Sequence, residues 1–521
     1  MRQPVVRVES GSVRGNIEGG VAIFRGIPFA APPTGERRFL PPAPAEPWGE
    51  VREATAFGAD CLTNEPGTTG VAQSEDCLFV NVWTPRLPTG GDGSLPVMVF
   101  LHGGAFRSGG SSVPLYDSAD LARQGLVAIS LNYRLGPLGF LVSLQDGLTG
   151  NLGLWDQQAA LGWVQRNVGL FGGDPSRVTL FGESAGAMSI AVHLTLRSSE
   201  SLFARAILQS SPASHYYRPL RLADKLGQAF IKRFDCDSIH CLREEPASAI
   251  LREWGISNLP RAVTDFIYWA PVYGPGSGVE RSPQLWANMQ EADSPAPKPI
   301  LMGSNAHEGA FFIAQAFSFS MPRALYLSSV AFMFGLSAPA VLGHYALLPL
   351  EGWRASGDYK QPFAQILTDY MFRCATRNAS QRWHKYVHTY SREQRRPIYL
   401  YYFTQRSNHT GPEPCRGLAC HMSELPFVFN RSERGVASQR PFSSDEVSLT
   451  DAVMSYWISF ARHGHPNERQ VLRGTPSERP YWPAWSPEVP AQLQIEWPLR
   501  LAGSDTCDAT CGFWDQLGYR F

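Results

Sequence analysis

Six short runs of consecutive apolar residues, rich in β-branched side chains, recur along the 521-residue chain. They are VMVFLHGG at 97–104, LVAISLNY at 126–133, VTLF at 178–181, RAILQSS at 205–211, PILMGSN at 299–305 and PIYLYYF at 397–403. A strand exposed on one face alternates apolar with polar positions, whereas a strand buried on both faces is apolar throughout. The stretches between the runs are long enough for helices, so the pattern predicts an α/β fold: a mostly parallel central sheet with helices on both faces. Sites in that architecture form beyond the carboxyl ends of the strands. The Pro- and Gly-rich piece PRLPTGGDGSLP at 85–96 reads as a loop. No internal repeat, low-complexity tract or clean boundary divides the chain, and residues 1–521 are read as one large domain with long insertions.

One apolar run has a different character. From Ala324 to Leu350 there is no Asp, Glu, Lys or Arg, and the length would suffice to cross a bilayer. Gly335, Pro339, Gly343, His344 and Pro349 cut it into pieces too short to span, which predicts two packed helices lining a core or an entrance and no transmembrane segment. The N-terminal MRQPVVRVESGSVRG has no apolar core of the kind a signal peptide carries.

Composition narrows the function classes. Apolar residues at 44% with charged residues at 18% describe a globular protein with a large core. Lys plus Arg equals Asp plus Glu at 46 each, and no basic run is interleaved with aromatics, which argues against nucleic acid as a partner. The nine cysteines include Cys61 and Cys77, Cys236 and Cys241, and Cys415 and Cys420, with Cys374, Cys507 and Cys511 remaining. None falls into paired C-x-x-C with following histidines, so no metal site is expected. Three local bridges, one long bridge and one free thiol are expected instead, which implies an oxidising compartment. A bridge closing the 61–77 loop would contribute about 3 kcal/mol by restricting the unfolded chain. The expected location is extracellular or periplasmic, with a signal peptide already removed; a cytosolic enzyme with buried thiols is the alternative.

The chemistry enters at RVTLFGESAGAMSIAV, residues 177–192. A strand runs into Gly182-Glu183-Ser184-Ala185-Gly186, and helix-forming residues follow at once. A chain that turns from strand to helix over one residue strains that residue, and flanking glycines leave room for the close approach. This is the context that a G-x-S-x-G nucleophile elbow requires, with the Ser184 hydroxyl at a helix N-terminus. Directly after the first apolar run comes His102-Gly103-Gly104-Ala105-Phe106. A Gly-rich turn at a strand end presents backbone N–H groups, and Gly104, Ala105 and Ala185 are assigned to an oxyanion hole. The turn lacks both G-K-[ST] and G-x-G-x-x-G, which disfavours phosphate or dinucleotide binding.

Elbow hydrolases run nucleophile, acid, base along the chain, with the base on the loop after the last sheet strand. If PIYLYYF is that strand, His409 and His421 are the near candidates, while His463 and His465 in FARHGHPN belong to a helix end and a turn. His421 lies between the Cys415–Cys420 pair and the apolar ELPFVF, which would hold its loop, and is preferred as base. The acid belongs on the loop after PILMGSN, where Glu308 stands.

With these parts in place, the chain resembles the type B carboxylesterases, the family of cholinesterases and bacterial para-nitrobenzyl esterases. The likeness runs nearly end to end, through FRGIPFAAPPTGERRF, SEDCLFVNVWTP, NYRLGPLGF, FGGDPSRVTLFGESAG and HMSELPFVF to the terminal CGFWDQL. The resemblance implies an α/β-hydrolase fold, a triad falling on Ser184, Glu308 and His421, and an oxyanion hole on Gly104, Ala105 and Ala185. It also implies bridges Cys61–Cys77, Cys236–Cys241 and Cys374–Cys511. Three departures stand out: HGGAF where many members have three glycines, His307 where Asp usually precedes the acid, and CRGLAC inserted before the base. The fifteen residues between Cys61 and Cys77 contain no Trp, which disfavours a choline-ester specialist.

The expected activity is hydrolysis of short- to medium-chain or aryl esters by two-step acyl transfer, without cofactor or metal, in a monomer or small homo-oligomer. Activity is expected to fall as pH drops through 6 to 7, the ordinary range for histidine. A lipase or polyester hydrolase on the same triad is the first alternative, and a non-catalytic adhesion protein the second. Phe266, Tyr268 and Trp269 are expected to line the acyl pocket or to pack in the core. Sequons at Asn378, Asn408 and Asn430 would be glycosylated only in a eukaryotic secretory host.

Overall fold

The computed structural model describes residues 3–64, 70–88, 94–252, 267–286, 289, 294–346, 357–390, 396–406, 415–431, 441–467, 479–503 and 508–519. Phe266, Cys507, Asn408 and His409 lie outside them.

Eleven strands form the main sheet: β1 Asn16–Glu18, β2 Val21–Pro28, β3 Phe79–Thr84, β4 Leu95–Leu101, β5 Val127–Leu131, β6 Gly173–Glu183, β7 Arg205–Gln209, β8 Ile300–Asn305, β9 Ile398–Phe403, β10 Gln492–Ile495 and β11 Arg500–Ala502. Their spatial order is β11-β10-β9-β8-β7-β6-β4-β5-β3-β2-β1. The stretch from β5 through β10 is parallel, and antiparallel strands close both edges. All six apolar runs are strands of this parallel stretch. From β4 the chain steps to β5 on one side and then returns to β6 on the other, so the topological reversal falls between β4 and β6. A crevice opens at such a reversal, outside the carboxyl ends of the two strands.

Successive side chains point to opposite faces of a strand, and the two cores record this. Val97, Val99 and Leu101 join one apolar cluster, while Met98 and Phe100 join the other. The first core is covered by helix α1, Ala185–His193, among others, and the second by the long helix α5, Ser444–His463. Between them in sequence lie α2, Glu308–Ala316, α3, Arg323–Phe334, and α4, Ala338–Ala346. Gly335, in a positive-φ conformation, separates α3 from α4, so the uncharged run is two helices, as expected. The stretch Arg323–Ala346 is nonetheless long and apolar enough to cross a membrane by length and composition, with 33% of its most apolar window buried. Tyr326, Val330, Phe334, Val341 and Tyr345 form its buried stripe, but Phe332 and Leu336 face outward. It is a surface pair rather than a core pair.

Disulfides join Cys61–Cys77, Cys236–Cys241, Cys374–Cys511 and Cys415–Cys420. No described cysteine is left free.

Candidate active site

The elbow is built by close packing. Strand β6 ends at Glu183 and helix α1 begins at Ala185, leaving Ser184 alone at the turn with φ 55° and ψ −121°. Positive φ costs a non-glycine residue on the order of 1–3 kcal/mol, so the surroundings must enforce it. Leu101 at the end of β4 does so: a Cβ on Gly186 would sit 1.9 Å from the Leu101 carbonyl oxygen, and one on Gly182 would sit 2.7 Å from it. The two glycines flanking Ser184 are therefore required by the backbone of the neighbouring strand. Ser184 retains 8% of its surface while Glu308 retains none, so the hydroxyl can be reached and the acid cannot.

The turn after β4 is equally constrained. Gly104, Ala105 and Phe106 all have positive φ, and a Cβ on Gly104 would lie 2.1 Å from the carbonyl oxygen of Ser108. Arg107 and Ser108 donate their N–H groups to the Gly104 carbonyl. His102 stacks on Tyr133 with ring centroids 4.4 Å apart, and the Tyr133 hydroxyl donates to the His102 carbonyl at 2.8 Å, fixing the start of the turn. The turn packs on the serine: a Cβ on Gly103 would stand 3.1 Å from the Ser184 Cβ. The backbone N–H groups of Gly104, Ala105 and Ala185 donate to no acceptor among the described residues. Ala185 is buried while Gly104 and Ala105 are half-buried, so the open donors stand beside a reachable hydroxyl where a ligand oxygen can approach them.

Glu308 and His421 are 113 residues apart in sequence and meet at 2.6 Å, Glu308 Oε2 to His421 Nδ1. The other Glu308 oxygen accepts the N–H of Asn305 at 2.7 Å. The second ring nitrogen of His421, Nε2, lies 3.0 Å from Oε1 of Glu183, an ion pair when the ring is protonated. Burial works against a charged imidazole, yet the carboxylates of Glu183 and Glu308 outweigh it and raise the pKa of His421 above its ordinary value. Burial in turn raises Glu183. A third buried acid, Glu424, accepts from Gln209 Nε2 at 2.9 Å and from Asn305 Nδ2 at 2.6 Å. Burial first, then the charge of Glu183, pushes it up to about 7.

Glu183 and Glu424 were not singled out from sequence. Glu183 occupies the x before the serine in the elbow pentapeptide, a position with an obvious reach to any base near Ser184. Glu424 offers no such signal.

Aromatic rings wall the base. Phe312, Phe372 and Phe311 lie 4.8, 5.3 and 5.7 Å from the His421 ring, and Phe312 stacks on Phe372. Of the aromatics expected at the acyl pocket, Trp269 is buried in the core against Phe230, and Tyr268 packs on Trp269 with the Arg218 guanidinium over its ring. His463 and His465 stack on each other at the end of α5. Among the described residues, no three His, Cys, Asp or Glu side chains gather as metal ligands.

A reachable serine on a strained strand-to-helix turn, with an Asp/Glu–His pair beside it, is the geometry of an acyl-transfer hydrolase, and comparison with known proteins agrees. The profile described as "Carboxylesterase family" spans residues 2–514. The chain belongs to the carboxylesterase family. It is similar to the "Crystal protein" of Dictyostelium discoideum, 33% identical with 99% of this chain and 91% of that protein covered. It is also similar to the "Para-nitrobenzyl esterase" of Bacillus subtilis (strain 168), 33% identical with 95% of each covered. A solved structure titled "PNB ESTERASE" matches with a TM-score of 0.80 at 28% identity, covering 98% of this chain and 100% of that one. The fold is the α/β-hydrolase fold and the protein is a serine carboxylesterase.

Proposed function

We propose that Ser184, Glu308 and His421 form the catalytic triad, and that the substrates are short- to medium-chain or aryl carboxylic esters. The observation that supports this reading is the placement of His421: Nδ1 is held by Glu308 at 2.6 Å, and Nε2 lies 3.0 Å from Oε1 of Glu183, the residue preceding Ser184. In the first step Ser184 Oγ attacks the ester carbonyl carbon and its proton passes to Nε2. The carbonyl π electrons move to oxygen, and the resulting oxyanion is met by the open N–H groups of Gly104, Ala105 and Ala185. Collapse expels the alcohol, which takes the proton from Nε2. Water repeats the sequence on the acyl-enzyme, releasing the acid and restoring Ser184. Glu308 holds the ring tautomer with the proton on Nδ1 and stabilises the imidazolium.

The aromatic wall of Phe311, Phe312 and Phe372 supports apolar or aryl esters over charged ones. The outward-facing Phe332 and Leu336 on α3 and the turn after it, a short way along the chain from Glu308, favour a second reading as a lipase or polyester hydrolase. The four disulfides support secretion into an oxidising compartment.

Measuring kcat/KM on p-nitrophenyl esters from acetyl to palmitoyl separates the readings. A maximum at short chains that vanishes in Ser184→Ala is expected for the carboxylesterase. A rise toward palmitate would favour the lipase reading, and turnover persisting in Ser184→Ala would refute the triad.

A further inference from the structure

The acid and the base sit on separate loops, one after β8 and one between β9 and α5, and something must fix their separation. The contacts that cross between these loops converge on His307. Its backbone N–H donates to the Ala419 carbonyl at 2.8 Å, and the Ala419 N–H returns a hydrogen bond to His307 Nδ1 at 3.2 Å. The backbones also pair as a parallel bridge between His307 and Cys420, and the Nδ1 contact adds a side-chain bond to it. Two residues before His307, Asn305 Nδ2 donates to the Cys420 carbonyl at 2.7 Å. The residues on either side of the bridge are Glu308 and His421. Both ends of the Glu308–His421 hydrogen bond are therefore one residue from the bridge.

The base loop is also tied to itself. Cys415 and Cys420 are joined, Leu418 N–H donates to the Cys415 carbonyl at 3.1 Å, and Ser423 N–H donates to the Cys420 carbonyl at 3.1 Å. Both cysteines are fully buried. The disulfide closes the short loop whose Ala419 and Cys420 face His307.

We propose that His307 is a positioning residue: its neutral ring, accepting the Ala419 N–H through Nδ1, clasps the acid loop to the disulfide-closed base loop and so sets the distance between Glu308 and His421. Accepting at Nδ1 puts the ring proton on Nε2 and requires an uncharged imidazole. Burial first and the charge of Arg406 second hold His307 down to about 4, so the ring is uncharged at neutral pH. The clasp matters because displacement of a reacting group by about 1 Å can cost on the order of 100-fold in rate. This inference rests on the triad reading above.

Asn and Gln distinguish a hydrogen bond from mere space filling. The amide oxygen of His307→Asn falls where Nδ1 stands and can accept from Ala419, whereas that of His307→Gln falls nearer the place of Nε2 and cannot. Both are polar and both fill the site. On p-nitrophenyl butyrate, His307→Gln is expected to lose roughly 10- to 100-fold in kcat with KM changed less than about twofold, and His307→Asn to stay within about threefold of the parent. Equal kcat in the two variants would overturn the clasp. A paired Cys415→Ala/Cys420→Ala variant gives an independent reading: it should lower kcat, and combining it with His307→Gln should lower kcat by less than the product of the two losses, because both act on one loop. A full product would overturn the shared clasp. Ser184→Ala in the same assay keeps the two failures apart. Activity persisting there refutes the triad itself, while a dead Ser184→Ala with equivalent Asn and Gln variants refutes only the role of His307.

Discussion

The serine elbow and the pair of loops carrying Glu308 and His421 are held in different ways. At the elbow, every constraint is backbone packed on backbone: β6, the turn and α1 are continuous in sequence, and the Leu101 carbonyl presses on Gly182 and Gly186. At the loops, the constraints are hydrogen bonds between segments more than 100 residues apart, supplied by Asn305, His307, Ala419 and Cys420, together with the Cys415–Cys420 disulfide inside the base loop. Steric constraints of the first kind tolerate almost no added atom. Polar constraints of the second kind tolerate substitution where the donor or acceptor is replaced in kind. Ser184 is thus fixed by shape, and Glu308 and His421 by chemistry.

Four changes sharpen or break that contrast. Ser184→Ala has the largest expected effect, a fall in kcat on the order of 10⁴- to 10⁶-fold with the fold intact, read by p-nitrophenyl ester kinetics and circular dichroism. Next comes Gly104→Ala, in which the added methyl meets the Ser108 carbonyl. A loss on the order of 10²- to 10³-fold in kcat is expected as the turn moves its N–H groups. Gly186→Ala should cost about 3 kcal/mol of stability, because no side chain near it can give way; a change in the urea midpoint of less than a third of that would break the steric account of the elbow. On the loop side, Asn305→Ala should cost about 2 kcal/mol by removing one of the two donors to Glu424 and one of the two to the Cys420 carbonyl.

Glu183→Gln tests the electrostatics where the two regions touch. A raised His421 pKa means that the proton is kept to higher pH, so the base-competent neutral ring is lost while pH is still above 6.5 as it falls. The acid limb of kcat/KM should therefore lie above the ordinary histidine value, and Glu183→Gln should move it down by removing one of the two carboxylates that favour the imidazolium. An unmoved limb would mean that Glu183 does not set the charge of His421.

What could be read from the sequence follows the same divide. The elbow was legible because its signal is local: a strand, two glycines at fixed offsets and a helix. The six strands of the parallel sheet were legible because burial on both faces leaves unbroken apolar runs. The antiparallel strands at the edges, such as β1 at Asn16–Glu18, are too short and too mixed to stand out. Glu308 and His421 were chosen by their order along the chain and their place after strands, and the structure brings the two side chains together. The partners of His421 were not foreseen, because Glu183, Asn305, Gln209 and Glu424 meet only when β6, β7 and β8 and the base loop are assembled. The expected pH range of 6 to 7 assumed an ordinary histidine, whereas carboxylates facing both ring nitrogens favour the imidazolium and move the expectation upward. The uncharged 324–350 run was read as two helices broken at Gly335, Pro339, Gly343, His344 and Pro349; Gly335 parts them, whereas Pro339, Gly343 and His344 lie within α4 and Pro349 lies outside the described residues, and composition did not foretell that Phe332 and Leu336 face outward.

The central claim is that Ser184 is the nucleophile, activated by His421. Incubating the protein with a fluorophosphonate and locating the modified peptide by mass spectrometry tests it most directly. The account predicts one adduct per chain, on Ser184, with labelling slowed at least about tenfold in His421→Ala. An adduct on another residue, or equal labelling of Ser184→Ala, would contradict it.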